Sequence, residues 1–304
     1  VQRLTDELEP GETGCLRRGT YREDVIITGG GRSGRPVELT AYPGERAMLA
    51  GLLLVDGADH VVVSGLWLDG RNGKGAPSPQ VLADDVVFRQ NDVTNARTEI
   101  CFSVGTRAGE AIVAHRVTIQ ANRIHDCGER PETNLDHGIY LENTVGARII
   151  GNWIYDNADR GVQLFPSAQG SLVAGNVIDG NGQGVLFGGG EGVASGDNIV
   201  RDNAITNSRL RANVEAFYPD GLEGFGNVVR RNCLHGAQSV DVAQTAGFSA
   251  FDNLRRPPAY LDREAKDFRI APGGDCWLVV RGAPGDFLDL LRDLLYPAIP
   301  GPPS

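Results

Sequence analysis

Two short segments hold most of the residues that could do chemistry: Asp136-His137-Gly138-Ile139-Tyr140 and Asp159-Arg160-Gly161-Val162-Gln163. They bring an imidazole, a phenol, a guanidinium, an amide and two carboxylates. Cleaving a uronic acid glycoside by β-elimination needs a group that neutralises the sugar carboxylate, a base for the proton on C5, and an acid for the leaving oxygen. Neutralising the carboxylate makes that proton removable, because it stabilises the charge that develops. Arg160, whose planar fork suits a carboxylate, and Gln163 are the expected clamp. His137, with an ordinary pKa of about 6.5, is the expected base, and Tyr140, near 10, the expected acid or proton relay. Asp136 and Asp159 offer a second chemistry, since paired carboxylates hydrolyse glycosides. Aspartate is also common in turns for local hydrogen bonding alone. A C5-epimerase would use nearly the same groups as the lyase and return a proton instead of expelling a leaving group.

The elements that must position these residues follow from a repeat. Asn91, Asn122, Asn152, Asn176, Asn203 and Asn232 recur in one phrase, with gaps of 31, 30, 24, 27 and 29 residues. Such a period marks a stack of supersecondary units, each too short to bury its own apolar face. Before each asparagine runs a β-branched segment, as in Val117-Thr118-Ile119-Gln120-Ala121, and after it a polar turn and a second short strand. Strands in successive coils are expected to pair in parallel about 4.8 Å apart, with a buried asparagine bonding at each bend.

The second strands align as His137–Glu142, Arg160–Phe165, Gln183–Gly188 and Ala212–Phe217. Their period of two turns Ile139, Leu141, Val162, Leu164, Val185 and Phe187 inward. Tyr140, Glu142, Gln163, Phe165, Leu186, Gly188, Glu215 and Phe217 then face outward, with His137, Arg160 and Gln183 stacked at the strand entrance. An extended sugar chain suits such a face, its rings on Phe165, Phe217 or Tyr218 and its hydroxyls on Glu142, Gln163, Gln183 and Glu215. The other histidines, His60, His115, His125 and His235, fall at turns or on other faces.

Composition narrows the class further. The net charge of -10, from 29 Lys+Arg against 39 Asp+Glu, argues against nucleic acid and anionic membrane as partners. No apolar run approaches the roughly 18 to 20 residues of a membrane span. The residues from Val1 onward carry no basic-then-apolar leader, so a secreted or periplasmic monomer whose signal peptide is absent from this chain is expected. Five cysteines leave room for Cys233 with Cys276 and Cys101 with Cys127, or for small buried apolar residues. A single domain over 1–304 is expected: 1–50 an N-terminal helical cap, with Leu4 and Leu8, and first coil; 51–245 the central coils; 246–304 a C-terminal cap and tail. Its helical stripe is Phe287, Leu288, Leu290, Leu291, Leu294 and Leu295.

The phrase from Pro10 to Tyr21, PGETGCLRRGTY, followed by the asparagine repeats, resembles the right-handed parallel β-helix proteins of the chondroitinase B and alginate lyase type. The stretch Asp262 to Ile270 is similar to the segment that closes such helices. The resemblance implies an all-β, single-stranded parallel β-helix acting on a polysaccharide, foremost as a lyase. Those lyases use a lysine and an arginine with a calcium ion at the substrate carboxylate. Here Lys74 and Lys266, the two lysines, both lie away from the coils that carry His137 and Arg160, so the lysine base does not carry over. For calcium the hard oxygen ligands would be Asp136, Glu142 and Glu215, though no contiguous calcium loop is present. The same fold carries glycosidases, epimerases and noncatalytic proteins, so a carbohydrate-binding or structural β-helix stands beside the enzyme reading. The segment Gly188–Gly192 is then either a lip over the groove or a turn that needs positive φ.

Overall fold

The computed structural model describes residues 1–106 and 112–281, and the stripe from Phe287 to Leu295 lies outside the described residues. The chain winds as a parallel β-helix with three long sheets. Among the described residues they hold ten, nine and nine strands, counting the hairpin strand of the third, and each gains one strand per coil. A coil therefore has three strands, not the two expected. The additional strand follows the asparagine directly, as in Arg123–His125, Trp153–Tyr155 and Val177–Asp179. It escapes a periodicity count because it is three residues long and its outward positions include Trp153 and Tyr155, so apolar and polar do not alternate.

Each sheet contributes one inward apolar column to the core. In the third sheet Ile27, Val55, Val81, Val104, Leu141, Leu164, Phe187 and Ala216 stand in register from coil to coil. All are at most 2% exposed. Burying a side chain of this size stabilises the fold by roughly 1.5–3 kcal/mol. A one-residue slip would turn the column to solvent, so burial specifies register.

The asparagines lock that register at the corner between the first and second sheets. The Oδ1 of Asn152 accepts from both the backbone N–H and the Nδ2 of Asn122, at 2.9 and 3.0 Å. Its own Nδ2 donates to Ile119 O and to Asn176 Oδ1. The same pattern runs from Asn91 through Asn232 and ends on Asn253. The residue before each of the six repeat asparagines has positive φ: Gln90, Ala121, Gly151, Gly175, Asp202 and Arg231. Four of them are not glycine and carry the left-handed penalty of roughly 1–2 kcal/mol, which the ladder offsets. Further ladders, Asn157 with Asn181 and Asn198 with Asn227, serve the other corners.

The ends are treated differently. Helix α1 (Gln2–Glu7) covers the first coil, with Val1 and Leu4 against the core and the Val1 amino group on Glu23 at 2.6 Å. Of the C-terminal segment expected as cap and tail, Phe248–Phe251 adds the last strand of the first sheet, and the chain from Tyr260 folds back along the outside of the second sheet. There the antiparallel pair Tyr260–Asp262 and Asp267–Ile270 and helix α2 (Asp275–Arg281) bury Phe268 and Cys276 against Trp153, Tyr155, Val177, Ala204 and Cys233. Disulfides join Cys233 to Cys276 and Cys101 to Cys127, with Cα separations of 5.5 and 5.6 Å, and Cys15 is free. No helix among the described residues is long and apolar enough to cross a membrane.

Replacing Asn152 with alanine removes the acceptor of the Asn122 backbone N–H and the donor to Ile119 O, both buried. Each unsatisfied group costs about 1–3 kcal/mol, so Asn152→Ala should lose at least about 2 kcal/mol in urea denaturation. A change below about 0.5 kcal/mol would show that the ladder is not a register lock.

Candidate functional site

The outward face of the third sheet gathers most of the expected residues. Ser103, Tyr140, Gln163, Leu186 and Glu215 form one column across five coils. Arg160 pairs in register with Gln183, and the Gly138 N–H donates to Arg160 O at 2.9 Å, which sets His137 beside Arg160. The His137 and Tyr140 rings meet edge to face with centroids 5.6 Å apart. His137 is not a surface turn residue: it is 2% exposed, and Arg160 4%.

Arg160 is held without a carboxylate. Its Nη1 donates to Asn134 O at 2.7 Å, its Nη2 to Asn134 Oδ1 at 2.6 Å, and its Nε to Gln183 Oε1 at 3.3 Å. No described acid lies within ion-pair distance of it. Burial pulls its pKa down to about 10, so the guanidinium stays charged near neutrality. It lines a pocket of about 230 Å³ with Glu132, Asn134, Asp159, Gly182, Gln183, Leu210 and Arg211. The loop over this pocket is strapped down by Glu132, whose Oε1 accepts from Arg209 Nη1 at 2.7 Å. Gln183 Nε2, Gln163 Oε1 and His137 Nδ1 are all buried on this face without a hydrogen-bond partner. His137 and Gln163 lie near enough to bond each other, and a buried polar atom left without a partner, such as Gln183 Nε2, is costly unless a ligand bonds it.

The environment sets protonation. Burial, then the Arg160 charge, drives the His137 pKa well below the ordinary histidine value, so its imidazole is neutral across the physiological range. Burial, then the Glu142 and Glu191 carboxylates, pushes the Tyr140 phenol far above its usual value, so it keeps its proton. Burial and Glu191 likewise raise Glu142.

Other expected residues stand elsewhere or are otherwise engaged. Asp136 Oδ2 accepts from the Glu129 N–H and the Thr133 hydroxyl, and Asp159 Oδ2 from the Asp136 N–H at 2.9 Å. Both carboxylates thus hold turns, which is the local bonding that aspartate favours. Phe165 lies half-buried over Gly188, where a Cβ would come 2.5 Å from its ring, and Phe217 is exposed beside it. Tyr218 does not join them: its ring packs on the core and its hydroxyl sits against Gly224 and Gly247. Gly188–Gly190 extends the strand Gln183–Gly190 into an antiparallel hairpin with Val193–Ala194, turning at Glu191 and Gly192. Asp136, Glu142 and Glu215 do not fit a calcium ion. Asp136 is spent on its turn and Glu215 faces Arg211 at 3.4 Å, and no described group of three His, Cys, Asp or Glu side chains could hold a metal. The lysines are engaged elsewhere, Lys74 with Asp24 and Lys266 with Asp156.

A second titratable cluster, on the outward face of the second sheet, had no signal beyond its histidine. His125 Nε2 meets Asp92 Oδ1 and its Nδ1 meets Asp126 Oδ2, both at 2.9 Å, with the ring stacked on Tyr155. Asp92 belongs to the previous coil, a relation that only the register reveals.

A family model described as a right handed beta helix region matches residues 63–248. No curated protein sequence matches the chain. Among solved structures, the pectate lyase Pel9A is similar at 15% identity and a TM-score of 0.59, over 90% of this chain and 84% of that one. The periplasmic alginate epimerase AlgG follows at 12% and 0.49, over 81% and 60%, and the PL6 family alginate lyase AlyGC at 16% and 0.45, over 79% and 38%. At these identities the likeness concerns the fold.

Burial lowers the His125 pKa, but the Asp126 and Asp92 carboxylates outweigh it and hold the group at about 9. A folded pKa above the unfolded value of about 6.5 gives stability that is complete below about 6.5 and is lost as pH rises through about 9. The urea midpoint of the protein should therefore fall over that interval relative to His125→Gln. Parallel curves for the two proteins would remove the pair of carboxylates as the cause.

Proposed function

Because the chain belongs to the right-handed β-helix family, we propose that it is a carbohydrate-active enzyme that binds an acidic polysaccharide on the third sheet and cleaves it by β-elimination. The observation that carries this reading is Arg160, a buried guanidinium whose hydrogen bonds all go to neutral oxygens, in the wall of a sugar-sized pocket. A carboxylate entering there would meet a charge in a low-dielectric setting, where the attraction is strongest, and the unpartnered Gln183 amide would donate beside it.

In this reading Arg160 neutralises the uronate carboxylate and acidifies the C5 proton. His137, held neutral beside Arg160, accepts that proton. Tyr140, which retains its own proton, donates to the leaving oxygen. The bond between the sugar and its leaving oxygen breaks as the C4–C5 double bond forms. An epimerase would use the same groups and return the proton instead. Hydrolysis by Asp136 and Asp159 is less favoured, since both carboxylates accept bonds from their own turns. The fold neighbour named as a pectate lyase supports a uronate polymer as substrate class. Two disulfides support an oxidising compartment, secreted or periplasmic.

A panel of uronic acid polymers, followed by unsaturated-product absorbance and by reducing ends, should give both signals on at least one. On that polymer Arg160→Lys, which keeps the charge and loses the fork, should lower kcat/KM by roughly 100-fold or more, with Tyr140→Phe similarly impaired. Reducing ends without absorbance would point to hydrolysis, and neither signal to no catalysis. Since the His137 pKa is depressed, its base form persists as pH falls. Activity should hold through about 6.5 and decline only at lower pH, whereas a profile that drops at an ordinary histidine value would exclude His137 as the base.

A further inference from the structure

The outer face that carries Tyr140 and Gln163 changes character along the stack. Two and three coils to the N-terminal side of Tyr140, Leu52, Leu54 and Leu82, all buried, form an apolar cluster separate from the main core, beside the half-buried Asp56 and Gln80. Ala76 and Ile112 pack over them from outside the sheet. Ala76 belongs to the segment joining the strands Trp67–Asp69 and Gln80–Leu82. That segment is built rigidly: Asn72 Nδ2 donates to Gly70 O and Ala76 O, and Asn72 Oδ1 accepts from the Lys74 and Ala76 N–H groups. Lys74 ties it to Asp24 at 3.0 Å and Ser78 Oγ accepts from the Leu53 N–H. The sugar-compatible surface therefore meets a wall two coils before Tyr140, on the N-terminal side of Ser103.

At the other end nothing comparable stands among the described residues. The strand Val214–Phe217 is the last of this sheet, with only the backbone of 241–244 bonded along its edge, and on it Phe217, two residues past Glu215, is 47% exposed, as Phe225 in the following turn is 71% exposed. Between wall and open end lie the strands of Ser103, Tyr140, Gln163, Leu186 and Glu215, roughly 19 Å at about 4.8 Å per strand. That length accommodates only a few sugar rings.

We infer that the protein takes the end of a glycan chain: the terminal residues lie over Ser103, Tyr140 and Gln163 beside Arg160, against the wall, and the rest of the chain leaves over Phe217 and Phe225. This rests on the carbohydrate reading of the same face and adds to it the mode of action, by release of short products from chain ends. An endo-acting groove must pass the polymer through at both ends, and three buried leucines under a braced loop do not allow that. Opening the wall would expose the leucines to water at roughly 25 cal/mol per Å², a cost that a weakly bound sugar chain does not offset.

The test is the product profile of the wild-type protein on the uronate polymer that it cleaves, resolved by size in the first few per cent of turnover. Short products of one size accumulating while the polymer keeps its length and viscosity are expected. Phe217→Ala with Phe225→Ala should raise KM for long chains several-fold and leave that for the shortest substrate within two-fold. A ladder of intermediate sizes with an early fall in viscosity overturns chain-end binding while leaving the uronate reading intact. If the polymer is bound without cleavage, competition replaces the profile. Shortening the polymer at constant mass should then raise its power to displace a fluorescently labelled short fragment of the same polymer in proportion to the number of ends, and indifference to length overturns the proposal. No cleavage and no retention of any glycan rejects the carbohydrate reading, and chain-end binding with it.

Discussion

Coil-to-coil register is the constraint on which the rest of this molecule depends. Parallel strands pair only if each coil repeats the backbone path of the one below, and a slip of one residue reverses every side chain. Two interactions enforce the repeat here. The inward columns would be exposed by a slip, and each ladder asparagine bonds backbone and side chain of its neighbour at once. Hydrophobic burial supplies most of the energy, while the buried amides supply direction that apolar contacts lack. The left-handed residues before the asparagines show how strongly the corner is determined, since Gln90, Ala121, Asp202 and Arg231 hold a conformation that non-glycine residues avoid.

With register fixed, residues from distant parts of the chain become neighbours on the outside of the helix, and the two outer faces are used in opposite ways. On the second sheet the cluster of His125 with Asp92 and Asp126 is internally satisfied, and the C-terminal hairpin and α2 cover the aromatic surface next to it. On the third sheet Arg160 is buried against amide and carbonyl oxygens, while Gln183 keeps an unpartnered Nε2. A fold at its most stable would not leave these groups so. Proteins depart from full polar satisfaction mainly where a ligand completes the bonding.

Electrostatics on that face separates the roles of groups whose chemistry overlaps in solution. An imidazole and a phenol have ordinary pKa values about 3.5 units apart, and here burial drives the imidazole downward and the phenol upward. One is thereby kept as a neutral acceptor and the other as a donor. The same desolvation makes the Arg160 charge effective toward an incoming carboxylate despite the net charge of -10, because a local buried charge outweighs screened surface charges.

Much of this was legible from residue order. The asparagine spacing determines a solenoid, the period of two assigns Leu141 and Leu164 inward, and the alignment of the short strands places His137 beside Arg160 and Tyr140 beside Gln163. These are properties of a repeat, in which sequence offset translates directly into spatial neighbourhood. Whatever depends on loops or on packing between separate segments lay beyond it. The third strand of each coil is too short to show a period. Tyr218 turns to the core because Gly224 and Gly247 leave room for its hydroxyl, and Asp136 is engaged by Glu129 and Thr133 of its own loop. The wall over Leu54 and Leu82 arises from Ala76 and Ile112, residues of irregular segments with no spacing to read. The sequence by itself determined the stack and the composition of each outer column, because both follow from local periodicity. Only the tertiary structure decided which columns are covered, which polar groups lack partners and where the face ends, because those outcomes depend on how nonrepeating segments pack over the repeat.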